Sequence, residues 1–234
     1  MWLAGADVVD GSGNDPVADQ PVLIEGSQIA AVGGTPPAGA EVIDCTGLTL
    51  TPGLIDAHVH EGLSSDIDDS MRHVLSVAEL AADMFANCAQ TLDAGFTTVR
   101  DVGGIDAGLA NVVASGKIPG PRILHCGPLH CQTGGHGYLA ADWEPGEQWD
   151  HHAIPRLRAI SLISDGPEQL RHNVRESFRR GASFLKLCVT GAVASRHDKL
   201  TDTQFSVEEI AVAVAEAAAR GDRDRADCRC PPDG

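Results

Sequence analysis

Positive charge is scarce in this chain. Only 17 Lys and Arg stand against 33 Asp and Glu, a formal charge of −16 over 234 residues. Such an imbalance argues against phosphate backbones and anionic membranes as partners. Long apolar runs are missing too. Neither Met1-Trp-Leu-Ala-Gly-Ala-Asp7 nor any later stretch joins a cationic flank to a spanning-length apolar segment, so neither a signal peptide nor a transmembrane helix is predicted. The seven cysteines are odd in number, scattered, and without a Cys-x-x-Cys pair, which reads as reduced thiols in a cytoplasmic protein. Cys228 and Cys230 form a Cys-x-Cys pair in a polar tail and are read as incidental. Internal repeats and low-complexity tracts are absent. What remains is an ordinary globular composition, 43% apolar, enough for one large domain or a large domain with a small one.

The first fifty residues are patterned differently from the rest. Short β-rich runs at Ala6–Val9, Val22–Glu25, Ile29–Val32 and Glu41–Asp44 are separated by turn segments such as Asp10–Pro16 and Gly33–Gly39. A small β unit is expected there. From Pro52 onward strand and helix alternate: strands at Leu54–His58, Thr97–Asp101, Arg122–Cys126 and Phe184–Val189, helices at Val74 to about Leu92, Ala107–Ala114, Glu168–Arg180 and Val207–Arg220. A long loop is expected over 127–165. Four β-then-α units in succession imply an α/β fold with a parallel sheet and crossover helices.

Three sites in this pattern carry chemistry. His58 and His60 end the segment Thr51-Pro-Gly-Leu-Ile-Asp-Ala-His-Val-His60, and the i, i+2 spacing on a strand puts both imidazoles on one face. Two neutral imidazoles at a strand end make half of a divalent metal site; the plainer alternative is a pair of hydrogen-bonded core or loop histidines. Lys186 lies inside the apolar strand Ser183-Phe-Leu-Lys-Leu-Cys188. An ammonium is costly to bury, so it requires a lowered pKa, a partner, or a packed stem that snorkels the charge out. In Gln132-Thr-Gly-Gly-His-Gly-Tyr138, glycines around His136 let the backbone approach a ligand and let the imidazole project from strand ends. A flexible surface loop is the competing reading. His130 and Tyr138 are weaker candidates from the same loop, Asp101 is read as structural, and Arg100 as the partner of an acidic neighbour. His73, His125, His151, His152, His172 and His197 show no spacing that makes a site.

Taken together, the opening β unit, Leu50-Thr-Pro-Gly-Leu-Ile-Asp-Ala-His-Val-His60, Phe96-Thr-Thr-Val-Arg-Asp101 and Phe184-Leu-Lys-Leu187 resemble the amidohydrolase superfamily of metal-dependent hydrolases. The likeness is strongest to the branch of imidazolonepropionase-like enzymes and Xaa-Pro dipeptidases, and it covers about 1–221. It implies a (β/α)₈ barrel of the TIM type preceded by part of a composite β-sandwich: residues 1–51 for the sandwich portion, 52–221 for the first half of the barrel with about four β/α units, and 222–234 as an aberrant polar tail. The resemblance also implies one or two divalent ions, zinc by default, with His58 and His60 as metal ligands. Lys186 would be a carbamylated lysine bridging two metals, and His136 would contact a small-molecule amide or dipeptide substrate. A metal-activated hydroxide would attack the amide carbonyl, with a carboxylate accepting the water's proton. A full-length protein of this kind is expected to be a homo-oligomer. A cyclic-amide hydrolase or deaminase on the same scaffold, and a non-catalytic fragment, are the alternatives.

The family's two further histidines, from the fifth and sixth strands, and its general-base Asp, from the eighth, have no counterparts in this sequence. A barrel takes about 250 residues, the whole chain has 234, and the last histidine is His197. After Gly221 the apolar periodicity gives way to Asp-Arg-Asp-Arg-Ala-Asp-Cys-Arg-Cys-Pro-Pro-Asp-Gly234. The expectation is a C-terminally truncated member, with a reading-frame slip near residue 221. Open sheet edges, low stability and weak metal affinity would follow, and the isolated chain is expected to be inactive.

Overall fold

The computed structural model describes residues 1–64, 75–138, 159–193, 197–220 and 226–229, together with Ile154 and Leu157. His73, His151, His152, Cys230 and the expected helix start at Val74 lie outside the described residues. The chain divides into two compact units, Met1–Gly53 and Leu54–Gly234.

In the first unit, strands β1 (Trp2–Ala4), β3 (Val22–Glu25), β4 (Gln28–Val32) and β5 (Val42–Asp44) form one sheet in the order β4-β3-β1-β5. Strand β2 (Asp7–Val8) pairs in parallel with β6 (Thr49–Leu50). Strands β3 and β4 form a hairpin, and Gly26 supplies the positive φ, 60°, that its tight turn needs. Sequence reasoning missed β1 and β6, which are too short to show an alternation. Ala6, Val8 and Val22 are buried, while Ile29, Val32, Val42, Ile43 and Leu48 stay exposed, so this unit leaves much of its apolar surface uncovered.

The second unit is the α/β part. Strands β7 (Leu54–Val59), β8 (Phe96–Asp101) and β9 (Arg122–His125) lie side by side in parallel, connected by helices α1 (Val77–Asp93) and α2 (Ala107–Ala114). Capping explains where the helices begin. Ser76 and Glu79 make a reciprocal capping box at α1, and the Asp106 side chain accepts from the Gly108 N–H at α2. Leu80, Met84 and Cys88 of α1 pack with Ile105 and with Leu109 of α2.

The expected loop over 127–165 is corrected in part. It contains β10 (Leu129–Cys131) and β11 (Ser161–Ile163), which pair in parallel. Three-residue strands are shorter than any period can register, and Gly127, at φ 68°, separates β10 from β9. On its other side β10 pairs with β12 (Leu185–Cys188). Helices α3 (Pro167–Arg179) and α4 (Val207–Ala218) cover β12, with Leu170, Val174, Phe178, Ala213 and Ala217 against Leu185 and Leu187. Pro167 at the first turn of α3 and a Ser206–Glu209 capping box on α4 set their starts.

The tail beyond residue 221, read as lacking a strand, contains β13 (Ala226–Arg229) in parallel register with β12, Leu185 opposite Ala226 and Cys188 opposite Arg229. Backbone N–H and C=O groups along an unpaired edge pair with any extended segment, whatever its side-chain polarity. Among the described residues no helix is long and apolar enough to cross a membrane.

Candidate active site

The alternation of a strand decides which side chains of β7 and β12 face inward. Leu185 and Leu187 of β12 are buried beneath α3 and α4, so Lys186 between them takes the opposite face, where it is half-buried. His58 near the end of β7 and His60 just beyond it both come to the cavity. The outcome is a cavity of about 380 Å³ lined by His58, His60, His136 and Lys186, with Val102, Leu129 and the segment 187–193 completing its wall. The three separate sequence features thus meet in one place.

Hydrogen bonds fix the details. The His60 Nδ1–H donates to the Gly103 carbonyl at 2.8 Å, which in a neutral ring puts the lone pair on Nε2. The rings of His58 and His60 stand edge to face with centroids 5.6 Å apart. Asp101 is fully buried and accepts from the backbone N–H of Glu61 at 2.7 Å and of Gly103 at 3.1 Å, tying the turn after β7 to the turn after β8. This is the structural use expected of it. Burial pushes its pKa up to about 8, against those two N–H bonds, and the neighbouring Glu61 carboxylate adds to the rise.

The Gly-Gly-His-Gly loop is pinned rather than loose. Thr133 donates through its N–H and its hydroxyl to Asp165, the Gly137 N–H donates to the Cys131 sulfur at 3.1 Å, and Ser161 Oγ donates to the Gly137 carbonyl. A Cβ at Gly137 would collide with Leu129 and with Ser161 Oγ, and one at Gly135 would collide with Gln204 Oε1. The glycines are therefore required for close packing, and the flexible-loop reading is corrected. His136 is half-buried; its backbone N–H donates to Gln204 Oε1, and its Nδ1 has no partner among the described residues. Burial lowers its pKa against the pull of the Asp198 carboxylate, with Lys186 and His60 reinforcing the fall, so the imidazole is neutral near pH 7.

Other residues fall elsewhere. His130 belongs to β10, not to a loop, and is fully buried on the far side of the strand, where its Nε2 meets Ser177 Oγ of α3 at 3.2 Å. It has no place in the cavity. Arg100 lies with its guanidinium 4.1 Å from the centre of the Phe184 ring, a cation–π contact. Tyr138 stacks edge-on with His197. Sequence reasoning missed Gln204. It is buried, joins His136 to Asp198 by donating Nε2–H to Asp198 Oδ2 at 2.6 Å, and precedes Phe205 at a strained φ of 60°. A polar residue next to a helix cap, as here before Ser206, carries no signal of such a role.

As a metal site the donor set is partial. Among the described residues no group of three or more His, Cys, Asp or Glu side chains is placed to hold an ion. The expected ligands supply two imidazoles, of His58 and His60, and one amine, of Lys186, with a third imidazole, of His136, in the same cavity. They fit part of a divalent site, since the Gly103 carbonyl engages His60 through Nδ1 and leaves Nε2 as its ligating nitrogen, and a ligating carboxylate would have to come from modified Lys186.

A model of the amidohydrolase family matches residues 49–223. The ochratoxinase of Aspergillus niger is 32% identical over 224 residues, 90% of this chain and 46% of that relative. Among solved structures, a prolidase complexed with N-methylphosphonate-L-proline matches with a TM-score of 0.83 at 33% identity, over 94% of this chain and 54% of that one. An Xaa-Pro dipeptidase with methionine in its active site matches with a TM-score of 0.80 at 27% identity, over the same shares. The chain spans about half the length of the relatives it matches.

Proposed function

The chain belongs to the amidohydrolase family, and from that premise we propose that it carries the first half of a (β/α)₈ barrel in a metal-dependent hydrolase of amide bonds, with Xaa-Pro dipeptides as the substrate class. The observation that carries the reading is the convergence of His58, His60, His136 and Lys186 on one cavity, from three elements distant in sequence. The prolidase and dipeptidase likenesses support the substrate class, and the ochratoxinase likeness supports amide hydrolysis.

Amidohydrolases generally bind divalent metal ions. Here His58 and His60 would hold one, with zinc the default, and Lys186 as its carbamate would contribute a carboxylate and remove a cation from a half-buried strand. Such an ion supplies Lewis acidity and a water acidic enough to ionise near neutral pH. The chain's own residues do the rest. The Gly103 carbonyl fixes the His60 tautomer, so that this imidazole does not have to reorient to ligate. His136, kept neutral by burial and held at its backbone by Gln204, offers one ring N–H to a carbonyl or carboxylate oxygen of a substrate in the cavity. Val102, Leu129 and Val189 give the cavity an apolar wall against which a prolyl ring packs. No general base is assigned to this chain.

The test is a zinc titration of the purified chain, read by competition with a chromophoric chelator and repeated with His58→Ala, His60→Ala and Lys186→Met. Binding that is weak, and at least tenfold weaker in each variant, is the expected result. Zinc binding indifferent to all three substitutions overturns the site. Dipeptide hydrolysis is assayed in parallel. Turnover of Xaa-Pro dipeptides abolished by His60→Ala would establish the substrate class and refute the expectation of an inactive chain. Turnover of N-acyl amino acids alone would replace that class.

A further inference from the structure

Two cysteines behind the cavity wall form a pair that the hydrolase reading does not use. His130 of β10 is the register partner of Leu187 of β12, so the next residues along the two parallel strands, Cys131 and Cys188, are also neighbours. Adjacent strands lie about 4.8 Å apart, inside the roughly 4.4–6.8 Å of Cα separation that a disulfide bridges. The two side chains pack in one small apolar cluster with Leu129, where the Cys131 thiol donates to the Gln132 carbonyl. Their access differs. Cys131 is fully buried, and its sulfur accepts the Gly137 N–H, whereas Cys188 stands on the cavity wall beside Lys186.

We propose that Cys131 and Cys188 are an oxidation site, at which hydrogen peroxide entering the cavity converts the two thiols into a disulfide. First the Cys188 sulfur attacks one peroxide oxygen; the O–O bond breaks, the departing hydroxide takes the thiol proton and leaves as water, and Cys188 becomes a sulfenic acid. Next the Cys131 sulfur attacks the Cys188 sulfur; the S–O bond breaks, and the leaving hydroxide takes the Cys131 proton to form a second water. Two thiols and one peroxide give one disulfide and two waters, with the sulfurs oxidised by the two electrons that the peroxide accepts. The order of attack follows from access, because only Cys188 faces the cavity. Closing the bridge ties β12, which carries Lys186, to the sulfur that holds the Gly137 N–H in the His136 loop. Neither the metal nor the hydrolytic activity takes part in this oxidation, which depends on strand register and access alone.

The experiment treats the fully reduced chain with hydrogen peroxide at neutral pH, blocks the remaining thiols by alkylation, and maps the cysteines by peptide mass spectrometry. A Cys131–Cys188 cross-link, two hydrogens lighter than the separate peptides and reopened by dithiothreitol, is the expected product. In Cys131→Ser, and in Cys131→Ala should the first variant fold poorly, Cys188 instead reacts with dimedone as a sulfenic acid. A cross-link from Cys188 to Cys126, or a Cys188 that stays alkylatable after the other cysteines have reacted, overturns the assignment on the unsubstituted chain alone.

Discussion

Acid should cost this protein stability through one histidine that has nothing to do with the cavity. His130 is fully buried on β10 facing α3, with Ser177 Oγ at its Nε2 and, among the described residues, no partner at its Nδ1. Burial alone lowers its pKa from 6.5 to about 4. The folded state therefore resists a proton that the unfolded chain accepts, and the stability this lends is present above pH 6.5 and lost as pH falls toward 4. At 1.36 kcal/mol per pH unit, the whole difference is worth roughly 3 kcal/mol, of which about 2 kcal/mol is lost between pH 7 and pH 5. Asp101 works in the opposite direction: its pKa, raised to about 8, means that the folded state holds a proton the unfolded chain releases, so it favours folding as pH falls. The unsubstituted protein alone would mix these effects. His130→Gln separates them, because the amide can keep a hydrogen bond to Ser177 and cannot titrate, while Asp101 is unchanged. Urea unfolding of both proteins at pH 7 and pH 5 is the assay. Between those pH values the variant should gain about 2 kcal/mol relative to the parent. If the two lose or gain stability in parallel, His130 is not held neutral by burial and the argument fails.

Gly137→Ala should destabilise by about 1–3 kcal/mol, since the new methyl meets Leu129 and Ser161 Oγ in a packed loop; an unchanged urea midpoint would show that the loop yields. Glu216 of α4 bridges Arg171 and Arg175 of α3 at 2.8 Å, and these bonds, Arg175 first, lower its pKa to about 2. Because both arginines are partly open to solvent, Glu216→Gln should cost only about 1 kcal/mol at pH 7, and the cost should vanish as pH falls from 4.5 toward 2, where the parent's carboxyl is protonated as well. Ser206→Ala removes the side-chain cap of α4 and should cost about 1 kcal/mol in the same assay, with Ser206→Thr close to the parent.

The β/α order was legible because its helices and principal strands are long enough to display a period. Ala107–Ala114 has the bounds expected for it, and β7, β8, β9 and β12 lie within a residue or two of theirs. Among the strands of two or three residues, β2 and β5 fall inside expected runs, whereas β1, β6, β10 and β11 were not legible and exist through pairing with neighbours that only the folded chain supplies. The same distinction runs through the cavity. His58 and His60 announce a shared face by their spacing, and Lys186 announces itself by being a cation within an apolar strand. His130 and His136 sit six positions apart and look alike in sequence, yet one is sealed beneath α3 and the other faces the cavity.

By itself, then, the sequence determined the alternation of strands and helices, the family, and the residue types that converge at the strand ends, because periodicity, caps and the chemistry of His and Lys are local properties. Tertiary structure alone decided that Gln204 braces the His136 loop, that β13 takes the edge of β12 despite its polar composition, and that Cys131 lies against Cys188. Each of these depends on register and on which face meets which neighbour, and contacts between segments far apart along the chain leave no period in the sequence.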